Sequence, residues 1–248
     1  MGSAETTGPE TGQNDSVESL SRDVRKGAFI IIPAYNEGTC LEGIVREVRE
    51  VYPNVVVVDD GSQDDTFEVA KRCATYTLRH LINRGQGAAL QTGMDFARLR
   101  GARFVVTFDA DGQHCVEDVA AMLAPIARGD CDITLGSRFL GEAVNLPPSR
   151  RWTLRLAVWF TRMVNRVNLT DAHNGLRAFS LRAAERINIT LDRMAHASEI
   201  IDQIKRSGLP FREVPVKIRY TEYSLAKGQS SRGAMRIVFH YLVGRMTK

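Results

Sequence analysis

Short runs of uninterrupted apolar residues alternate along the chain with stretches whose apolar positions recur every three or four residues. Phe29-Ile30-Ile31-Ile32 is stopped by Pro33, Val55 to Val58 runs into Asp59-Asp60-Gly61-Ser62, and Phe104 to Phe108 runs into Asp109-Ala110-Asp111. Apolar runs of this length, bounded by turn residues, are expected of strands buried on both faces. Between them, residues 40–51 carry Leu41, Ile44, Val45 and Val48 at helical spacing. Residues 64–74, 86–100 and 116–128 read as further helices, and 75–79 and 131–135 as short strands. Strands alternating with helices predict an α/β chain with a mostly parallel, Rossmann-like sheet flanked by helices. Right-handed crossovers place the carboxyl ends of such strands on one edge, where ligands bind. The polar clusters at 33–37, 59–65, 109–114 and 136–138 fall at those ends, so four strand ends are expected to supply one crevice.

After Arg138 the rhythm breaks. Residues 150–168 form a long helical pattern, followed by a turn at Asn174-Gly175, a strand near 176–180, helices near 181–187 and 197–207, a strand over 211–219 and a helix over about 232–246. This is read as the second half of one domain spanning 28–248, with 28–137 and 138–248 as its halves. Residues 1–27, rich in Gly, Ser, Thr, Glu and Asp and without an apolar core, read as a disordered tail rather than a signal peptide.

Charge sharpens this division. The formal charge is +4, yet residues 1–137 carry 13 basic and 21 acidic side chains, a balance of −8, and residues 138–248 carry 20 and 8, a balance of +12. Arg outnumbers Lys 27 to 6, which favours planar recognition of phosphate or carboxylate. A 44% hydrophobic content excludes a wholly disordered chain. No uncharged apolar run approaches the roughly 18 residues that span a bilayer. Four widely spaced cysteines without a CxxC pair read as reduced and structural, and the cytoplasm is the expected compartment.

The chemistry-bearing residues lie at the strand ends. Two carboxylates at i and i+2, Asp109 and Asp111, suit Mg²⁺ or Mn²⁺, hard cations that bridge diphosphates, and Gln113 offers a further oxygen. Asp59-Asp60 is a second acidic pair. Four carboxylates facing one crevice would repel without a cation. Capping of the next helix by Ser62 or Asp64 is the plainer reading of that loop, and the two are compatible. Asn83-Arg84-Gly85-Gln86-Gly87 opens a helix whose N-terminus favours an anion. Leu90 replaces the third glycine of GxGxxG, and no GxxxxGK[ST] is present, which disfavours dehydrogenases and P-loop enzymes.

Ile31-Ile32-Pro33-Ala34-Tyr35-Asn36-Glu37, Val57-Val58-Asp59-Asp60-Gly61-Ser62, Asn83-Arg84-Gly85-Gln86-Gly87 and Asp109-Ala110-Asp111-Gly112-Gln113-His114 together resemble family 2 glycosyltransferases in order and spacing. The branch most similar includes dolichyl-phosphate mannose synthases and bacterial polyprenyl-phosphate glycosyltransferases. Gly136-Ser137-Arg138, Glu213-Val214-Pro215, Tyr223 and Lys227-Gly228-Gln229 extend the likeness to about residue 230. The resemblance implies a GT-A fold and an inverting, metal-dependent transfer from a UDP- or GDP-linked sugar to a polyprenyl phosphate or a glycan. It implies that Pro33, Tyr35, Glu37, Val58 and Asp60 line the nucleotide pocket. Asp109, Ala110, Asp111 and Gln113 would surround the metal and diphosphate, and Arg138 and Lys227 would reach phosphates. Thr221 departs from the pattern, since the mannose synthases carry an arginine there, and the hydrophobic tail of many relatives is absent.

A saccharide hydroxyl acceptor needs a general base, whereas a lipid phosphate is already anionic. Glu199 is the candidate base; at a predicted helix start it equally suits the helix dipole. His196 is read as structural. Arg177 suits either a phosphate or a buried salt bridge. An inactive sugar-nucleotide-binding scaffold is the reading from another class, and retention of Asp109, Asp111 and Gln113 argues against it. Trp152 and Trp159 with interleaved arginines, and the last helix with Arg232, Arg236 and Arg245, suit either contact with an anionic membrane surface or packing on the core. Arg excess without a nucleic-acid module does not indicate nucleic-acid binding.

Overall fold

Ile30, Ile31 and Ile32 are all inaccessible to solvent, so the first strand is covered on both faces as its unbroken apolar run requires. In the computed structural model, residues 21–144, 158, 169–171, 174–191 and 196–220 are described. The elements run α1 (Arg22–Gly27), β1 (Ala28–Ala34), α2 (Gly38–Val51), β2 (Asn54–Asp59), α3 (Thr66–Cys73), β3 (Tyr76–Arg79), α4 (Gln86–Leu99), β4 (Phe104–Thr107) and α5 (Val116–Ala127). There follow β5 (Ile133–Val144), β6 (Arg177–Ser180), α6 (Leu181–Arg186), α7 (His196–Ser207) and β7 (Phe211–Arg219).

These strands form one seven-stranded sheet in the order β3-β2-β1-β4-β6-β5-β7. β6 runs antiparallel to both neighbours and the remaining pairs are parallel. The period-2 pleat divides the core in two. Ile30, Ile32, Val55, Val57 and Val106 join Leu41, Val45 and Val48 of α2, Val69 of α3 and Leu123 of α5 on one face. Ile31, Val56, Val58 and Val105 join Leu90 and Met94 of α4, Ala183 of α6 and Ile200 and Ile204 of α7 on the other. Successive strands step from β1 to β2 to β3, after which β4 returns to the far side of β1. That reversal opens a crevice at the carboxyl ends of β1 and β4.

Two local expectations change. The tail does not extend through residue 27: Arg22–Gly27 is helical, and the Ser21 side chain accepts from the Val24 amide at 3.3 Å as an N-cap. β5 is also longer than its apolar run. Residues 136–138 therefore lie inside a strand, not at its end. The extension comes from parallel pairing with β7, irregular between Ser137 and Glu142. There Gly141 lies so close to the Val216 backbone that a Cβ would collide with it. Exposed Pro215 sits on β7, the sheet edge, where no donor is lost from the ladder.

Candidate active site

The loops leaving β1 and β2 are stitched together before any ligand is considered. The Asn36 amide donates to Ser62 Oγ at 2.9 Å, the Glu37 amide to Thr66 Oγ1 at 2.8 Å, and the Gln63 amide to Asn36 Oδ1 at 2.9 Å. Asn36 takes the left-handed conformation, φ 54°, which Asn tolerates better than most residues. This places Tyr35 on the surface at 41% exposure and leaves Glu37 half-buried beside Cys40. Pro33 and Val58 are buried in register with one another, and Val58 packs in the α4 face of the core, so its side chain lies beneath the crevice.

The second acidic pair faces inward. Asp59 accepts from the Ser62 amide at 3.2 Å and stands 3.1 Å from Arg79 Nε. Asp60 is 2% exposed and meets His80 Nδ1 at 2.7 Å, the Arg84 amide at 2.9 Å and the Gly85 amide at 2.6 Å. Asp60 thus shapes the glycine-containing turn ahead of α4. The four carboxylates do not all converge on the crevice, as the repulsion argument assumed, because Asp59 pairs with Arg79 and Asp60 is held by His80 and the amides of the turn before α4.

Asp109 and Asp111 remain. Asp109 Oδ1 accepts from Gln86 Nε2 at 2.9 Å, and Oδ2 meets His114 Nε2 at 3.2 Å. Burial would push the Asp109 carboxyl up, but the His114 bond and the charges of His114, His196 and Arg177 hold it below the usual range. Asp111 is pushed up to about 6, first by burial and then by the Asp109 charge, with Glu37 adding to it. Its Oδ1 accepts from the Gln113 amide at 3.0 Å, and the Gln113 carbonyl accepts from the Arg219 amide at 2.9 Å. Ala110 is buried and its carbonyl accepts from Cys40 Sγ at 3.1 Å.

A hard divalent cation fits this donor set, because Asp111 is short of positive charge and offers oxygen. Among the described residues no three His, Cys, Asp or Glu side chains converge as a metal cage. The protein would therefore supply one or two carboxylates, and a diphosphate and water the rest, the mode in which Mg²⁺ is held beside phosphates.

The far wall is built from the second half. Thr107 Oγ1 donates to the Gly175 carbonyl at 2.6 Å, and Gly175 lies so close to the Asp109 carboxylate that a Cβ would overlap it. Arg138, expected to reach a phosphate, is held within this wall. It is 7% exposed; Nε meets Asp171 Oδ2 at 2.6 Å and Nη1 donates to Tyr220 Oη at 2.6 Å. Burial opposes its charge, and Asp171 and Tyr220 more than compensate. Glu213 completes the wall by accepting from the Thr170 amide at 2.8 Å, Thr170 Oγ1 at 2.8 Å and the Asp171 amide at 3.1 Å.

Glu199 is likewise committed elsewhere. It is 6% exposed and accepts from the Thr190 amide at 3.0 Å, Thr190 Oγ1 at 2.5 Å and the Leu191 amide at 2.7 Å. Its carboxylate holds a turn, as an acid at the start of a helix readily does. Lys227, Thr221, the tryptophan-bearing stretch and the last helix lie outside the described residues, except that Val158 is helical and buried. His80, His114, Gln86 and Glu213 have no role assigned from sequence; His114, Gln86 and Glu213 stand within the motifs above, while the signal for His80 is slight.

Residues 29–187, well over half of the chain, match the family model described as Glycosyl transferase family 2. The chain belongs to this family. The glycosyltransferase is 32% identical to a UDP-N-acetylglucosamine–dolichyl-phosphate N-acetylglucosaminyltransferase of Methanococcus voltae, covering 89% of this chain and 96% of the relative. It is also 32% identical to a polyprenol monophosphomannose synthase of Mycolicibacterium smegmatis, covering 84% and 82%. Glucosyl-3-phosphoglycerate synthase from Mycobacterium tuberculosis, solved with Mn²⁺, UDP-glucose and phosphoglyceric acid, superposes with a TM-score of 0.63 at 17% identity, over 86% of this chain and 79% of that one. The glycosyltransferase has the GT-A fold. No helix among its described residues is long and apolar enough to cross a membrane.

If Glu199 were the base, Glu199→Gln would abolish transfer. The observed bonds predict otherwise, since Gln can accept from both amides and donate to Thr190 Oγ1. We expect Glu199→Gln to transfer sugar within about threefold of the parent, and Glu199→Ala to lose about 2–3 kcal/mol of stability through stranded donors. Initial rates and urea unfolding check the pair.

Proposed function

We propose that this glycosyltransferase moves a sugar from a nucleoside-diphosphate donor to a polyprenyl phosphate, with inversion at the anomeric carbon, at the cytoplasmic face of a membrane. The observation that carries the choice of acceptor is the commitment of Glu199. With that carboxylate holding the 190–191 turn, an acceptor that is already anionic is favoured, since it needs no base. The dolichyl- and polyprenol-phosphate relatives support the same class.

In this reading the loops after β1 and β2 hold the nucleoside and Tyr35 offers it an exposed ring. Asp111, with Asp109, would hold Mg²⁺ or Mn²⁺, which would neutralise charge developing on the leaving diphosphate. Gln86 and His114 keep Asp109 oriented. The acceptor phosphate oxygen forms its bond to the anomeric carbon as the bond to the diphosphate breaks, and the nucleoside diphosphate departs. Lys227 is proposed to meet a phosphate of the donor.

The test is to incubate the protein and Mn²⁺ with radiolabelled UDP-N-acetylglucosamine or GDP-mannose and a short-chain polyprenyl phosphate. Label is expected in an acid-labile, solvent-extractable product, and chelation is expected to abolish it. Transfer to saccharides alone, with none to the lipid phosphate, would overturn the proposal.

A further inference from the structure

Arg177 is the first residue of β6, beside Thr107 on β4 and Leu135 on β5. Because β6 runs antiparallel, this end lies at the carboxyl edge of β4, where Asp109 begins the acidic turn. The residue is 4% exposed. Among the described residues its guanidinium makes no hydrogen bond and no ion pair, unlike Arg138 in the same wall. Burying a cation without hydrogen bonds is costly.

Its neighbours do not satisfy it. The charges of Asp109 and Asp171 reach Arg177, yet burial still depresses its pKa to about 10. Asp109 is engaged by Gln86 and His114, and Asp171 by Arg138. Pairing with Thr107 brings Arg177 to the same sheet edge as the Asp109 turn, the side from which an oxyanion would meet the guanidinium. Gly175, pressed against Asp109, and Asn174, whose Oδ1 accepts from the Leu176 amide at 2.9 Å, hold the turn that presents it.

We infer that Arg177 is a phosphate-binding residue in the crevice floor, taking an oxyanion of one of the two substrates. A planar fork of unspent donors suits a phosphate better than a point charge does. Asp109 and Asp171 would repel such an anion, so occupancy should depend on a divalent cation at the acidic turn. The inference rests on the transfer reading above. The phosphate belongs either to the acceptor or to the donor diphosphate, and the experiment separates them.

Calorimetric titration of the full chain with UDP plus Mn²⁺ forms one arm, and with farnesyl phosphate plus Mn²⁺ the other. Arg177→Gln is expected to weaken one ligand by about tenfold or more and spare the other, with Arg177→Lys intermediate. Loss in the farnesyl phosphate arm assigns the acceptor phosphate, loss in the UDP arm the donor diphosphate, and loss in both a shared contact. Should Arg177→Gln fail to fold, Arg177→Lys decides, since it keeps the charge facing Asp109 and Asp171. Wild-type affinity of the folded variants for both ligands would overturn the inference. A parent chain that binds neither ligand would instead overturn the transfer reading.

Discussion

Asp111→Asn is expected to lower kcat/KM for the nucleotide-sugar donor by about a hundredfold to a thousandfold, the scale on which loss of one transition-state charge contact acts. The reason lies in the raised Asp111 pKa of about 6, set first by burial and then by the neighbouring Asp109 charge. Such a carboxyl marks a place short of positive charge, which a divalent cation supplies and an amide no longer attracts. The sign of the accompanying stability change differs from that of the activity change. The folded pKa lies above the unfolded one, so the ionised carboxyl destabilises the metal-free fold increasingly as pH rises from about 4 through about 6. At pH 7.5 without metal, Asp111→Asn should therefore melt no lower than the parent. On adding Mn²⁺ and UDP the parent should gain thermal stability and the variant should not. Activity within tenfold of the parent, or an equal ligand-induced gain, would remove Asp111 from the metal and diphosphate site.

The largest expected loss of stability is in the wall built from the second half. Asp171→Ala takes from Arg138, 7% exposed, the carboxylate that stands 2.6 Å from its Nε. Breaking a buried pair in this way costs about 3–5 kcal/mol. Replacing both members with apolar residues of similar size, Arg138→Met with Asp171→Leu, should recover most of that loss, because both desolvation costs vanish together. Urea unfolding of the single and double variants measures the difference. A loss below about 1 kcal/mol in Asp171→Ala would show that the pair contributes little to the fold. If the double variant is as stable as the parent yet transfers sugar poorly, Arg138 acts on catalysis through the position of β5 or directly.

Glu199 and Arg138 show how little of a charged side chain's surroundings can be read in one dimension. Both are charged residues in the stretch expected to hold the acceptor side, and in a linear chain each looks available to a ligand. Their partners are found only in three dimensions: Asp171 is 33 residues from Arg138 and Tyr220 is 82 away. Asp60 is similar, since its oxygens serve backbone amides 24 and 25 residues downstream. Arg177 is the converse case. Sequence left it open between a phosphate and a salt bridge, and among the described residues packing provides a wall around it without an ion pair.

By itself the sequence determined the α/β order, the buried strands through β4 and the edge on which Asp109 and Asp111 stand. These follow from hydrophobic periodicity and turn chemistry, which act over a few residues and survive in one dimension. Only the tertiary structure decided the reversed β6, the extension of β5 through residues 136–138 and the distribution of charged side chains between crevice and interior. The first two depend on which strand lies alongside, and pairing with β7 carries β5 past the end of its apolar run. The third depends on desolvation, because a buried charge takes the partner that folding brings to it, at whatever sequence distance that partner lies.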